Sequence, residues 1–172
     1  MENCESCKLM KGDNMDITFK TEEGRFNYRV CGIMICDGKL LAMKDENSVY
    51  YYLPGGRVML HETAENAIKR ELREEMGVEP DIIRPLWLAE NFFTEDVKQE
   101  KYHELCLYFL MDISGIELLT RGESFERTEG KHHHIFEWIP FERLRGEYLY
   151  PLFIKERIYS LPERLELLTV YE

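Results

Sequence analysis

The chain has 172 residues, 44% of them hydrophobic and 32% charged, a balance that suits one globular unit with a substantial core. No apolar run of about 18 residues and no secretory signal pattern is found, so a cytoplasmic protein without a membrane span is expected. A net charge of -11 argues against a polymeric nucleic acid as partner, which needs a basic patch, and leaves a small nucleotide open.

From the N-terminus, Met1 to Asn14 is polar and lacks a period, which predicts a mobile segment ahead of a single domain over residues 15–172. The five cysteines read as reduced thiols, because they form no even extracellular framework. Cys4-x-x-Cys7 has half the spacing of a zinc site, but no second pair matches it. Strands are expected over Asp16 to Lys20 and Asn27 to Cys36, with Asp37-Gly38 turning the chain into a partner strand, Lys39 to Met43. Cys31, Cys36 and, further on, Cys106 fall in apolar runs and read as small buried residues. Along Tyr50 to Leu53, Tyr50 and Tyr52 share one side and Tyr51 takes the other.

The stretch Leu53 to Val78 organises the chain. Leu-Pro-Gly-Gly is read as a turn, since proline lacks a backbone donor and glycine adopts conformations that other residues avoid. A helix then runs from an N-cap at Thr63 through Met76, with Glu65 in its first turn and Gly77 as its stop. Ile68, Leu72 and Met76 form its apolar stripe, and Glu71, Glu74 and Glu75 leave one adjoining surface. Clustered carboxylates repel, and their oxygens suit a hard cation such as Mg²⁺ or Mn²⁺; the plainer alternative is a solvated acidic face paired with Arg70 and Arg73.

The spacing Gly56, Glu62, Arg70, Glu71, Leu72, Glu74, Glu75, Gly77, Val78 resembles the Nudix hydrolase signature G-x5-E-x7-R-E-U-x-E-E-x-G-U at every defined position, U being aliphatic. The resemblance implies an α/β fold of the Nudix type, an α/β/α sandwich with a mixed central β-sheet. It also implies metal-dependent hydrolysis of a diphosphate bond in a nucleoside diphosphate derivative or nucleoside triphosphate. Matched position by position, it makes Glu74 and Glu75 the main metal-binding carboxylates, Glu71 a further ligand or the water-activating base, and the Gly56 carbonyl another metal ligand. Glu62 and Arg70 correspond to residues that orient those carboxylates. Aromatics on such a strand are mostly core residues, with base stacking the alternative for Tyr52; Tyr52 and Arg57 are the candidate substrate-binding residues.

Beyond the helix, Asp81 to Phe93 and His103 to Ile113 read as an antiparallel ribbon joined by the polar Thr94 to Tyr102. Thr120 to His134 reads as a long polar loop able to close over the metal site, followed by a strand from Ile135 to Ile139. Family members often supply another carboxylate from such a loop; Glu129 resembles it and Glu126 competes. His132, His133 and His134 are taken as a solvated loop end, because successive strand residues diverge. A short turn over Phe141 to Arg145, a helix over Pro151 to Tyr159 and a last strand or short helix over Leu165 to Tyr171 complete the order.

The sequence does not name the substrate. Branches of the family that cleave ADP-ribose often carry a proline about fifteen residues past the signature, where this chain reads Phe92-Phe93-Thr94. The proline-rich motif and zinc ribbon of the NADH-cleaving branch are not visible. Ordinary or oxidised nucleoside triphosphates, nucleotide sugars and other nucleoside diphosphate derivatives stay open, as does a homodimeric assembly. The alternative function is a noncatalytic nucleotide-binding sensor, against which the intact Glu71, Glu74 and Glu75 weigh.

Overall fold

The computed structural model describes residues 15–46, 48–95 and 99–172, apart from the Glu129 side chain. Residues 1–14, with the expected mobile terminus and Cys4-x-x-Cys7, lie outside the described residues.

Strand β1 (Thr18–Lys20) pairs antiparallel with β2 (Arg25–Ile33). The single strand expected over Asn27 to Cys36 is interrupted at Met34, and β3 (Ile35–Cys36) joins a different sheet, paired with β4 (Lys39–Asp45). Every residue from Val30 to Met34 is buried, so this apolar run carries the chain from one sheet to the other. The turn between β3 and β4 forms where Asp-Gly predicts it, with φ of 48° at Asp37 and 71° at Gly38. Tyr50 to Leu53 makes isolated bridges rather than a strand, Tyr52 with Met43 and Tyr51 with Leu149.

The turn expected at Leu53 to Gly56 is in part a strand. β5 (Gly55–Arg57) runs antiparallel to β2, with Gly56 opposite Val30. At Gly55, with φ of 142°, a Cβ would lie 2.2 Å from the Val30 carbonyl oxygen, so only glycine lets the two backbones approach this closely. Helix α1 (Ala64–Met76) follows with its predicted ends: Thr63 Oγ1 accepts from the Asn66 N–H at 3.2 Å, and Gly77 is left-handed at φ 70°.

Strands β6 (Asp81–Thr94) and β7 (Lys101–Asp112) form the antiparallel pair, with Pro85 beside a register shift where its missing donor is tolerated. β7 lies parallel to β2, and β10 (Glu166–Tyr171), a strand rather than a helix, lies parallel to β6. The larger sheet therefore has the mixed order β1-β2-β7-β6-β10, with β5 added on β2.

The polar segment Thr120 to His134 is not a loop. A short 3₁₀ turn (Glu117–Arg121) leads into a hairpin of β8 (Ser124–Glu129) and β9 (His132–Pro140), and the second sheet has the order β3-β4-β9-β8. Strand β8 is an edge, where polar side chains on the outer face are favoured. Phe125, stacked on Phe136 with ring centroids 4.8 Å apart, and Arg127, which donates to the Met76 carbonyl at 3.0 Å, mark its inner face. The helix expected over Pro151 to Tyr159 is also shorter: after a cis Tyr150–Pro151 bond the chain turns twice, and only α3 (Ile154–Arg157) is helical, as is the brief α2 (Phe141–Leu144) before it.

Ala67, Ile68, Leu72 and Met76 of α1 pack with Val30, Met34, Val58, Phe109 and Met111. On the opposite side Leu144, Leu149, Ile154 and Ile158 pack with Cys31, Trp87 and Tyr108. Each large apolar side chain fully buried here contributes roughly 1.5–3 kcal/mol. Helical segments thus cover both sides of the strands, an α/β/α sandwich. Cys31 and Cys106 are buried, as expected, while Cys36 is only half-buried. No helix among the described residues is long and apolar enough to cross a membrane.

Candidate active site

The glycine strand and the acidic helix meet at Gly56. Val30, its partner on β2, faces α1, so the Gly56 α-carbon turns the same way, and a Cβ there would fall 2.3 Å from Glu71 Oε2. Bare backbone at this position is what leaves room for the carboxylate.

Arg70 is the hub of the cluster, its side chain 14% exposed. Its Nε donates to Glu62 Oε1 at 2.8 Å and its Nη2 to Glu62 Oε2 at 2.9 Å, the two-pronged geometry that a planar guanidinium favours. Nη1 donates to Glu71 Oε1 at 2.7 Å and Glu74 Oε2 at 3.1 Å, while Nη2 also reaches the Arg57 carbonyl at 2.9 Å. Glu62 is fixed further by the Met59 N–H at 3.0 Å. The bonds from Arg70 hold the Glu62 carboxyl below its ordinary value despite burial. The spacing of these residues in the signature thus ties the helix to the glycine strand through one cation.

Glu75 is 6% exposed and accepts from the Gly55 N–H at 3.0 Å. Burial, and then the charge of Glu71, push its carboxyl well above the ordinary value. Burial raises Glu71 as well, with Arg70 offsetting part of the effect. Glu74 is 42% exposed at the rim. Around Arg70 and Gly55 the carboxylates are drawn apart, and no three His, Cys, Asp or Glu side chains among the described residues converge as a metal cage. The donor set still suits a hard divalent cation: it is all oxygen, two carboxylates carry a charge that burial disfavours, and the bare backbone of Gly56 lets the Glu71 carboxylate lie against it.

Other expected residues are placed as follows. Tyr52 is half-buried against the core that includes α1, and burial, then Asp45 and Glu75, raise its phenol above the ordinary value. Arg57 lends its carbonyl to Arg70, and its side chain pairs with Asp16 at 3.3 Å. Glu129 ends β8 in register with His132. Glu126 bonds His133 Nε2 at 3.1 Å, and no described contact joins it to the cluster. The histidines are strand residues rather than a solvated loop end. His132 and His134 share a face with centroids 6.2 Å apart, His134 is buried, and His133 points the other way, so the three do not converge on one ion.

Two participants were not anticipated from sequence. The Gly55 N–H, as the anchor of Glu75, follows from a strand where a turn was expected. Arg29 donates from Nη2 to the Gly55 carbonyl at 3.4 Å, and its charge acts on both Glu71 and Glu75. An arginine within an otherwise buried strand was the signal available for it.

An acidic helix locked by an arginine to a glycine strand, on an α/β/α sandwich, defines a class of proteins with an oxygen-rich centre at the sheet edge. A NUDIX domain model matches residues 26–159, and the chain belongs to the Nudix hydrolase family. The chain is 33% identical over 100 residues to an ADP-ribose pyrophosphatase of Methanocaldococcus jannaschii, a match covering 56% of this chain and 57% of that protein. It is 26% identical over 121 residues to an RNA pyrophosphohydrolase of Haemophilus influenzae, covering 64% and 60% respectively. A MutT mutator protein structure from Bacillus halodurans superposes with a TM-score of 0.59 at 16% identity, over 84% of this chain and 89% of that one, a likeness of fold.

Proposed function

We propose that the protein hydrolyses the diphosphate bond of a small nucleotide-type substrate in a reaction that depends on Mg²⁺ or Mn²⁺. The observation that carries this reading is the convergence of Glu71, Glu74 and Glu62 on Arg70, with Gly56 bare beside Glu71 and Glu75 buried at Gly55. The names of the two curated relatives, both pyrophosphate-bond hydrolases, support it. Glu71, Glu74, Glu75 and the Gly56 carbonyl would hold the cation, with Glu129 as a further candidate from the end of β8. When bound, the cation supplies charge neutralisation for the diphosphate and acidifies the attacking water.

The chain's own residues do the remainder. Arg70 and Glu62 fix the carboxylates before substrate arrives, so little reorganisation is needed at the moment of reaction. Burial gives Glu71 a raised proton affinity, which suits it to accept the proton of the attacking water. We assign base stacking to Tyr52 and a phosphate contact to Arg57. The net charge of -11 favours a small nucleotide over a polymer as the substrate, and the ADP-ribose named in one relative belongs in the substrate panel.

The test is phosphate release from nucleoside triphosphates, nucleoside diphosphate sugars, ADP-ribose and dinucleoside polyphosphates, with coupled phosphatase, in Mg²⁺, Mn²⁺ or chelator. Turnover that needs the cation and falls by orders of magnitude in Glu74→Gln, with the fold retained, is expected. Undiminished turnover in chelator or in that variant would refute the reading.

A further inference from the structure

Strand β2 carries an unusual row of polar side chains on the sheet face away from α1. Val30 faces α1, so by alternation Asn27 faces away with Arg29 and Cys31. Asn27 stands in register with Glu104 of β7, and Glu104 with Asn91 of β6. All three are at least nine-tenths buried, at 3%, 8% and 5% exposure. The Asn27 amide donates to Glu104 Oε2 at 3.3 Å. Arg29 sits in register with Arg57, a pairing of like charges that costs stability and that Asp16, 3.3 Å from Arg57 Nη1, answers on the Arg57 side.

Protein partners do not use up this row. Among the described residues, Arg29 Nε and Arg57 Nε are buried donors without a partner, and Asn91 Oδ1 is a buried acceptor without one. Buried polar groups left in this state are disfavoured unless a ligand or water completes them. Their position is also informative. Gly55 is held by Glu75 through its N–H and by Arg29 through its carbonyl, so a backbone without a side chain separates the guanidinium from the carboxylate cluster. The two unpartnered Nε donors, on guanidiniums that otherwise reach the Gly55 carbonyl and Asp16, ask for an acceptor-rich group such as a phosphate. One row further, the unpartnered Asn91 oxygen asks for a hydroxyl donor, and the Glu104 carboxylate, which takes one bond from Asn27, has acceptor capacity for another; a carboxylate accepting from ribose hydroxyls is a recurrent solution.

We propose that Arg29 and Glu104 form a nucleotide-recognition pair, Arg29 binding a substrate phosphate beside Arg57 and Glu104 accepting from a ribose hydroxyl beside Asn91. The pair rests on the diphosphate hydrolase reading for its substrate class and makes that substrate a ribonucleotide. The structural alternative is a buried Arg29–Glu104 pair that only steadies β2 against β7.

Calorimetric binding of an α,β-methylene nucleoside diphosphate and its 2′-deoxy form, with Mg²⁺ present, separates these without requiring hydrolysis. The wild type is expected to bind the ribo form about tenfold or more tighter, the scale of one hydrogen bond to a charged group. Glu104→Gln should bring the two forms to within about twofold by weakening only the ribo form, and Asn91→Ser should act in the same direction should Glu104→Gln fail to fold. Arg29→Lys should weaken both forms by roughly tenfold and keep their ratio. Equal affinities in the wild type, an unchanged ratio in both Glu104→Gln and Asn91→Ser, or unchanged affinities in Arg29→Lys would overturn the proposal. A wild type that shows this binding pattern yet hydrolyses nothing would count against the hydrolase reading while supporting the pair.

Discussion

Replacing Arg70 by methionine tests the hub of the site through stability rather than turnover. The side chain is 14% exposed and its partners Glu62 and Glu71 are each 16% exposed, so the variant leaves two largely buried carboxylates without their cation. Breaking one partner out of a fully buried ion pair costs about 3–5 kcal/mol, and the residual exposure argues for the lower end, about 3 kcal/mol. The 42% exposed Glu74 adds little, since exposed pairs contribute at most about 1 kcal/mol. In a chain of 172 residues a loss of this size lowers Tm by about 6–12 °C. The pH dependence has a definite sign. Arg70 holds the Glu62 carboxyl below its reference value of 4.5, so this stabilisation is complete above that pH and is lost as pH falls through the folded value. The difference in Tm between wild type and Arg70→Met, read by calorimetry, should therefore be largest near neutrality and shrink below pH 4.5. A difference under about 2 °C at neutral pH, or one independent of pH, would refute this account of the network.

Three further substitutions follow from the geometry. Gly56→Ala would place a methyl 2.3 Å from the Glu71 carboxylate, so turnover should fall at least tenfold with the helix content by circular dichroism intact. Gly77→Ala meets both a φ of 70° and the Arg127 guanidinium 2.2 Å away, and urea unfolding should show a loss of about 1–3 kcal/mol. Glu75 carries a folded value raised above its unfolded one, so its contribution is favourable at low pH and lost as pH rises through the folded value. Glu75→Gln should consequently raise Tm in chelator at neutral pH while diminishing the further rise on adding Mg²⁺; a lower Tm in chelator would contradict the burial argument.

The sequence was most legible where local rules act alone. Thr63, Gly77 and the stripe Ile68, Leu72, Met76 define α1 because capping and periodicity need no tertiary information. The carboxylates at Glu71, Glu74 and Glu75 were legible from spacing on that helix, and their tie to Glu62 through Arg70 was implied by the Nudix signature. What escaped notice depends on partners distant in sequence. The glycines at 55 and 56 form a strand only because β2 accepts them, and the polar run from Thr120 becomes a hairpin because Phe125 finds Phe136. Arg29 lies inside the run Asn27 to Cys36 that reads as one buried strand, and its position beside Gly55 exists only once β2 and β5 are assembled.

The most direct test of metal-dependent attack by water on phosphorus is hydrolysis in ¹⁸O-labelled water, read by phosphorus NMR and mass spectrometry, on whichever substrate the panel identifies. The account predicts one labelled oxygen on a single product phosphate, formation that stops in chelator and a fall by orders of magnitude in Glu74→Gln. Label in neither phosphate, or labelling that persists at full rate without a divalent cation, would contradict it.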